Sequence, residues 1–515
     1  MRHEIQSRVF YRILGVFVIL LWHIKPSFAD DDVARLLYQT TFGPTPTLIN
    51  QVEKVGKTKW INQQILLTPT YHQPLYNTPF SKGDQANREN AWYQIAMTAD
   101  DQLRQRMAYA LSQIVVVSQY GGSLSGKAAG LANYYDMLVK NAFGNYKDLL
   151  YDVTTHPVMG NYLSMMGSAK ADSDTGALPD ENFAREVMQL FTLGLYQLNI
   201  DGSKILDDAT GKPMPTYTQN DVQELARALT GWVKSDNDFV TPMTAVAELH
   251  DSGEKTILGS TIPAGLTAQE ELSRVIDIFM SHPNMAPFIS KRLIQRFVTS
   301  NPSPGYISRV AKVFNDNGKG KKGDLRAVIK AVLLDAEARG RTDTKPIKVK
   351  EPILVLTNFH RAAGFSLNGT RFDAAVTAFN TANQGPLRSP SVFNFYSPNY
   401  QPSNAFMDEN MVSPEYQILN WAVYTELVNY MLNSTRRGGD DTYSLDFDEF
   451  YAQLDNHKAL VNLVDQHFFA GTASETLKQT MLDVLDDYKT NYVPTTKLSL
   501  VIFAAISDDE FYIQD

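Results

Sequence analysis

The stretch Pro179-Asp-Glu-Asn-Phe-Ala-Arg-Glu-Val-Met-Gln-Leu-Phe-Thr-Leu-Gly194 reads as a helix from start to stop. Pro179 and Asp180 stand where a helix begins and Gly194 where one ends. Phe183, Val187, Leu190 and Phe191 recur at helical spacing and make one apolar face. Glu181, Arg185 and Glu186 crowd the first turns, and what they do decides whether this helix is a site or a brace.

The same period of three and four runs outward through most of the chain. It marks 87–119, 128–155, 218–232, 267–281, 283–299, 303–314, 324–338, 348–364 and 414–432, with further segments after Tyr443. Period-two alternation is scarce. The expected fold class is therefore all-α, a predominantly helical globular body with a small β-hairpin or flap. The best strand pair is Gly194–Asn199 with Ser203–Leu206, around Asp201-Gly202. Residues 167–179, 208–215, 236–242 and the lysine-bearing 318–323 read as loops. Residues 383–404, rich in Pro, Ser, Asn and aromatics, read as an extended wrap over the body, and a C-terminal helical subdomain is expected over 408–515 after a main helical domain at 30–407.

Arg2, Arg8 and Arg12 precede an apolar run from Ile13 to Trp22, followed by Ser27 and Ala29. That pattern is a secretory signal peptide over 1–29 with cleavage after Ala29, and the run is too short to span ~30 Å of hydrocarbon. The mature chain is expected to have no transmembrane span and to reside outside the cytoplasm, in the periplasm or secreted. It has no cysteine, so stability has to come from a large core rather than disulfides. Losing Arg2, Arg8, Arg12 and Lys25 against Glu4 moves the formal charge from −9 to about −12. Such a balance argues against a nucleic-acid binder.

Glu181 and Arg185, four apart with the acid first, share a helix face and suit an ion pair. Paired carboxylates at Glu181 and Glu186 are candidates for general acid and base, because shared burial pushes two pKa values apart. His250, with Asp251 and Glu254 in a Gly/Ser loop, is the best local group for proton transfer or metal coordination, although it falls short of a zinc signature. The catalytic candidates are thus Glu181, Glu186, His250 and Asp251, with Arg185 and Arg227 to hold an anionic group. Metal and cofactor content stay open. The reading we prefer for the charges is a brace: Thr218 to Asp221 forms a capping-box pattern, and Glu224 and Arg227 repeat the acid-base theme of the opening helix. Asp172, Asp174 and Asp180 form an acidic loop without EF-hand order, and His156 and His282, each before a proline, read as caps. Tyr134, Tyr135, Tyr146, Tyr151, Tyr162, Tyr196 and Trp232 fit sugar stacking in principle and core packing at helical spacing.

Several blocks together resemble a bacterial exported family, domain of unknown function 1800. They are Ala34–Pro44 (ARLLYQTTFGP), Arg104–Ser112 (RQRMAYALS), His156–Gly160 (HPVMG), the opening Glu181–Gly194, Tyr217–Val222 with Ala226–Trp232, His250–Gly259, Lys291–Val298 and Lys348–Pro352. They keep the family's order over most of 33–400. Many members carry histidine where this chain has Phe191, which weakens any scheme that needs an imidazole there. The resemblance implies an exported helical protein, whose gene often lies beside an exported family similar to sulfatases. The resulting expectation is an accessory or scaffold protein acting with an exported sulfatase-like partner in envelope or polysaccharide metabolism. The alternative is a hydrolase or lyase on an extracellular polymer.

Overall fold

The computed structural model describes residues 32–77, 84–340, 348–402, 411–486 and 493–514. The expected leader at 1–29 lies outside the described residues. Helices make up 56% of the structure, and the only sheets among the described residues are three two-stranded antiparallel ribbons. The chain is all-α, as its periodicity indicates. No described helix is long and apolar enough to cross a membrane.

Two helices form the centre. Every residue of Gln102–Ser112 is buried, and so is all of Pro352–Ala362 except Arg361. Gln102–Ser112 packs on Lys57–Leu66, Ala128–Asn141 and Met285–Phe297. Pro352–Ala362 packs on Asp84–Thr98, Ala375–Ala382, Trp421–Arg437 and His457–Phe468. One continuous apolar core links these layers from Leu36 to Tyr512. The helical period read over 87–119 belongs to two helices, Asp84–Thr98 and Gln102–Ser112. The corner between them is held by buried Asp101, which accepts from the Thr70 amide at 3.0 Å and from Gln105 Nε2 at 3.1 Å. Helices buried on all sides carry no polar stripe, so periodicity does not mark the joint.

The opening helix departs from one uniform α-helix. Asp180 Oδ1 accepts from the Asn182 amide at 2.8 Å, and the α-helix runs Asn182–Glu186. From Val187 to Thr192 the backbone is π-helical. Leu193 donates to the Met188 carbonyl at 3.0 Å, and Thr192 Oγ1 donates to the Val187 carbonyl at 2.6 Å, both five residues back. Tyr146 closes the widened turn by donating to the Phe191 carbonyl at 2.7 Å. Gly194 ends the segment at φ +79°, where a Cβ would lie 2.8 Å from the Phe288 ring. Gly194→Ala is expected to cost about 2 kcal/mol, from left-handed strain plus overpacking. A thermal melt shifted by less than a degree would refute that reading of the turn.

The expected hairpin is present as an irregular three-limbed flap over 195–216. Asn199 donates to the Ser203 carbonyl at 2.8 Å, Ile205 to Gln197 at 2.9 Å, and Gln197 to Met214 at 2.9 Å. Leu195, Tyr196, Ile200 and Leu206 on this flap are exposed. The 383–402 segment carries no regular element beyond Asn383 and runs over the central helices, with Gln119 donating to the Leu387 carbonyl at 2.9 Å.

Helices Trp421–Arg437, His457–Phe468, Glu475–Asp486 and Pro494–Ile506 pack on one another and on Pro352–Ala362. A strap at 508–514 then returns to the segment before that central helix. Val349 bridges Ile513, and the Lys350 amide donates to the Tyr512 carbonyl at 2.7 Å. The Gln514 side chain reaches the Phe297 carbonyl at 2.6 Å.

Candidate functional site

The candidate charges fall into two clusters at opposite ends of the helix Gln219–Ala228. At its start, Arg185 Nη2 donates to Glu181 Oε2 at 2.9 Å and to Gln219 Oε1 at 3.1 Å, while Gln219 Nε2 donates to Glu181 Oε2 at 2.8 Å. The helix opens on the capping box read from sequence, Thr218 with Asp221. This triad ties the opening helix to the second one through an amide. Both charges are at least a third exposed, so the pair adds little stability by itself.

Glu186 is set apart from that triad. It is 7% exposed, and its Oε2 has no hydrogen-bond partner. Burial raises its pKa, opposed by the neighbouring Arg185 charge. Burial raises the Tyr162 and Tyr217 hydroxyls, and the Glu186 charge adds to both.

At the other end of the helix, Arg227 grips the 250–255 loop. Nε and Nη2 donate to the two Asp251 oxygens at 2.8 and 3.2 Å, and Nη1 donates to both Glu224 oxygens at 2.9 and 3.0 Å. Partial burial works to raise Asp251, but the Arg227 fork and the Gly253 amide hold it at about 2. Bidentate pairing of this kind fixes geometry as well as charge. Beneath it lies a buried pair, Lys255 Nζ with Glu271 Oε1 at 2.8 Å. Burial pushes Glu271 up to about 7 against the pull of Lys255.

His250 is 5% exposed, with Nδ1 3.0 Å from the Thr230 carbonyl and Nε2 3.6 Å from Glu271 Oε2. A carbonyl accepts only, so Nδ1 carries the proton. Burial lowers the His250 pKa and favours the neutral ring. The loop cluster therefore combines an ionised Asp251, a neutral imidazole and a buried lysine. It includes His250, Asp251 and Arg227, whereas Glu181, Arg185 and Glu186 gather at the opening helix. No hydrogen bond or ion pair joins the two groups.

Among the described residues, no group of three or more His, Asp and Glu side chains is arranged to hold a metal ion. The acidic loop uses its carboxylates in turns: Asp172 accepts from the Asp174 amide at 2.8 Å and from Thr175 Oγ1 at 2.8 Å. His156 caps the following helix, its Nδ1 accepting from the Val158 amide at 3.2 Å, and His282 Nδ1 does the same for Asn284 at 3.1 Å. Tyr134, Tyr146 and Trp232 are core, while Tyr162 and Tyr196 reach the surface.

The densest polar assembly escaped sequence reading. Glu351, 2% exposed, accepts from Tyr109 at 2.7 Å, Gln113 at 3.2 Å and Gln384 at 2.5 Å. Arg296 donates to Gln113 Oε1 at 2.8 Å and to the Tyr396 hydroxyl. Burial works to raise Glu351, but the charges of Arg296 and Lys348 bring it below the usual carboxylate range. Arg106 lies alongside, 2% exposed, with its guanidinium 5.6 to 5.7 Å from the Phe42, Tyr109 and Phe297 rings. Three sequence blocks, 104–112, 291–298 and 348–352, thus converge on one buried carboxylate. The available signal was an arginine or lysine recurring inside otherwise apolar helices.

A family described as protein of unknown function (DUF1800) matches residues 35–512. No curated protein and no solved structure matches the chain.

Proposed function

The chain belongs to the DUF1800 family of proteins of unknown function, and from that premise we propose that it is an exported accessory or scaffold protein. In this reading it works outside the cytoplasm beside an exported sulfatase-like partner, in envelope or polysaccharide metabolism. The observation that carries the reading is how the candidate charges are used. Glu181 and Arg185 pair with each other and with Gln219, and Arg227 is saturated by Asp251 and Glu224. Groups satisfied by neighbours on adjoining elements are braces that fix the arrangement of helices and loop, which is what a scaffold requires. The leader composition supports export, and the exposed apolar side chains of the flap, Leu195, Tyr196, Ile200 and Leu206, support contact with another protein.

Mild affinity purification from the native host tests it. A sulfatase-like exported protein is expected to co-purify from the envelope or periplasmic fraction. Recovery of the chain alone, or from the cytoplasm with its first 29 residues intact, counts against the reading.

A second reading, a hydrolase or lyase on an extracellular polymer, is favoured by one observation, the unpaired buried oxygen of Glu186. Burial raises the pKa of this carboxyl, the direction a general acid needs. Release of reducing ends from a defined polysaccharide, abolished in Glu186→Gln, would establish it. Equal turnover in that variant would remove it.

A further inference from the structure

We propose that a cationic strip formed by Lys204, Lys291 and Arg292, edged by the ring of Tyr196, binds an anionic polysaccharide, the cations taking its sulfate or carboxylate groups and the ring a sugar face. The inference rests on the polysaccharide side of the proposed function and needs no protein partner.

The strip lies where the root of the flap meets the helix Met285–Phe297. Asn284, 1% exposed, clamps the two together: its Nδ2 donates to the Tyr196 carbonyl at 2.8 Å, and its Oδ1 accepts from the Leu198 amide at 2.9 Å. Gly194, at the entry to the flap, lies against the Phe288 ring. Lys204 comes from the limb that bridges Leu198, and its ammonium stands 4.8 Å from the centre of the Tyr196 ring. The Arg292 guanidinium stands 5.1 Å from the centre of the Phe288 ring. Phe288, Lys291 and Arg292 are three and four apart and share one face of the helix. Contacts thus run from Lys204 through Tyr196, Asn284 and Phe288 to Arg292, with Lys291 beside it.

Arg185 and Arg227 are answered by carboxylates, and these three cations are not. Among the described residues none of them joins an ion pair. Lys204 and Lys291 make no hydrogen bond there, and Arg292 makes one, from Nη1 to Gln295 Oε1 at 3.2 Å. Lys291 and Arg292 are half-buried. Two adjacent like charges, partly desolvated and without a counter-charge, are unfavourable, and a bound anion relieves them. Burial pulls the Lys291 ammonium below its ordinary value, and the charges of Arg292 and Lys204 pull it further. Arg296, one turn on, differs: it faces Glu351 and donates to Gln113. The carboxylates of the flap serve its own turns, Asp201 accepting from the Ser203 amide at 2.9 Å and Asp207 from the Thr210 amide at 2.8 Å.

Two properties define the ligand. Tyr196 is 39% exposed and offers ring surface to the apolar side of a sugar. The cations stand on two separate elements, which suits a ligand whose charges recur along its length. The full sequence carries a formal charge of −9, so the remaining surface repels polyanions and confines attraction to this strip. The same balance opposes nucleic acid, whose closely spaced phosphates require a broad basic surface.

Affinity electrophoresis of the full chain through gels holding dextran sulfate, sodium alginate or neutral dextran tests the site. Retardation by at least one charged polymer and none by neutral dextran is expected, and it should vanish between about 50 and about 500 mM salt. Stronger retardation by dextran sulfate assigns the sulfate group to the ligand, and stronger retardation by alginate assigns the carboxylate. Lys204→Glu, on the exposed flap, and Arg292→Gln should each weaken binding about tenfold. No retardation by either charged polymer, or retardation unaltered in Lys204→Glu, overturns the proposal. So does equal retention of a single-stranded oligonucleotide or of phosphatidylglycerol vesicles, which would mark attraction to any polyanion. Should Arg292→Gln fail to fold, Lys204→Glu decides alone. Capture of a protein partner plays no part in this readout, so the two readings fail separately.

Discussion

Glu351→Ala is expected to cost about 3–5 kcal/mol, the loss typical of breaking a buried charge assembly. The carboxylate accepts from Tyr109, Gln113 and Gln384 and balances the buried charges of Arg296 and Lys348. Its removal leaves three donors without an acceptor and two cations undercompensated, in a place water does not reach. That is a large share of the roughly 5–15 kcal/mol that holds a folded domain together. Glu351→Gln separates the two contributions. It retains one carbonyl oxygen, which can serve Tyr109 and Gln384 at the Oε2 position but not Gln113 at the Oε1 position as well, and it lacks the negative charge, so it should fall between the native chain and the alanine variant. Guanidinium denaturation midpoints measure both, and a cost below about 1 kcal/mol for Glu351→Ala would mean that the assembly is not a unit.

Lys350 should make the chain more stable as the solution becomes alkaline. Its ammonium is 2% exposed, donates to the Phe511 carbonyl at 2.9 Å and lies 4.1 Å from the Tyr38 ring centre. Burial lowers its pKa to about 7, against about 10.4 for a lysine in an unfolded chain. Between these values the unfolded chain binds a proton that the folded chain does not, so stability rises with pH across that window. Below about pH 7 both states are protonated, and the folded state carries the full burden of a buried cation. The group's contribution should grow by about 3 kcal/mol from pH 7 to pH 10. Lys350→Met removes the titration, so the native-minus-variant stability curve should climb through the window. A flat difference curve would show that Lys350 remains charged in the folded chain.

Much of the fold was legible because its helices are amphipathic and end on turn residues. Thr218 to Asp221 forms the capping box its spacing implies, and Asp201-Gly202 turns the flap. The joint at Asp101 was hidden, since both flanking helices are buried nearly all round. The π-helical turn was hidden for another reason: it depends on Thr192 reaching the Val187 carbonyl and on Tyr146, 45 residues earlier in the chain, sealing Phe191. Neither contact leaves a local pattern. At the site, the Glu181 to Arg185 pair follows from their spacing, and the braced second helix follows from its Glu/Arg theme. The bridge between the helices is Gln219 rather than a second ion pair, and Arg227 turns instead to Asp251. Glu271, the group facing both Lys255 and His250, lies on a separate helix, and only tertiary structure brings it there.

The strap at 508–514 also dictates the order in which the fold can close. Synthesis delivers Phe297 and Lys348–Lys350 well before residues 511–514 exist, yet Phe511, Ile513 and Gln514 supply their partners. Until that stretch emerges, the Lys350 ammonium has no carbonyl to donate to, and the edge at Val349 has no strand beside it. Contacts so distant in sequence are made late and slowly. The nascent chain should therefore stay loosely folded and protease-sensitive through most of its synthesis, and lock only when the strap arrives.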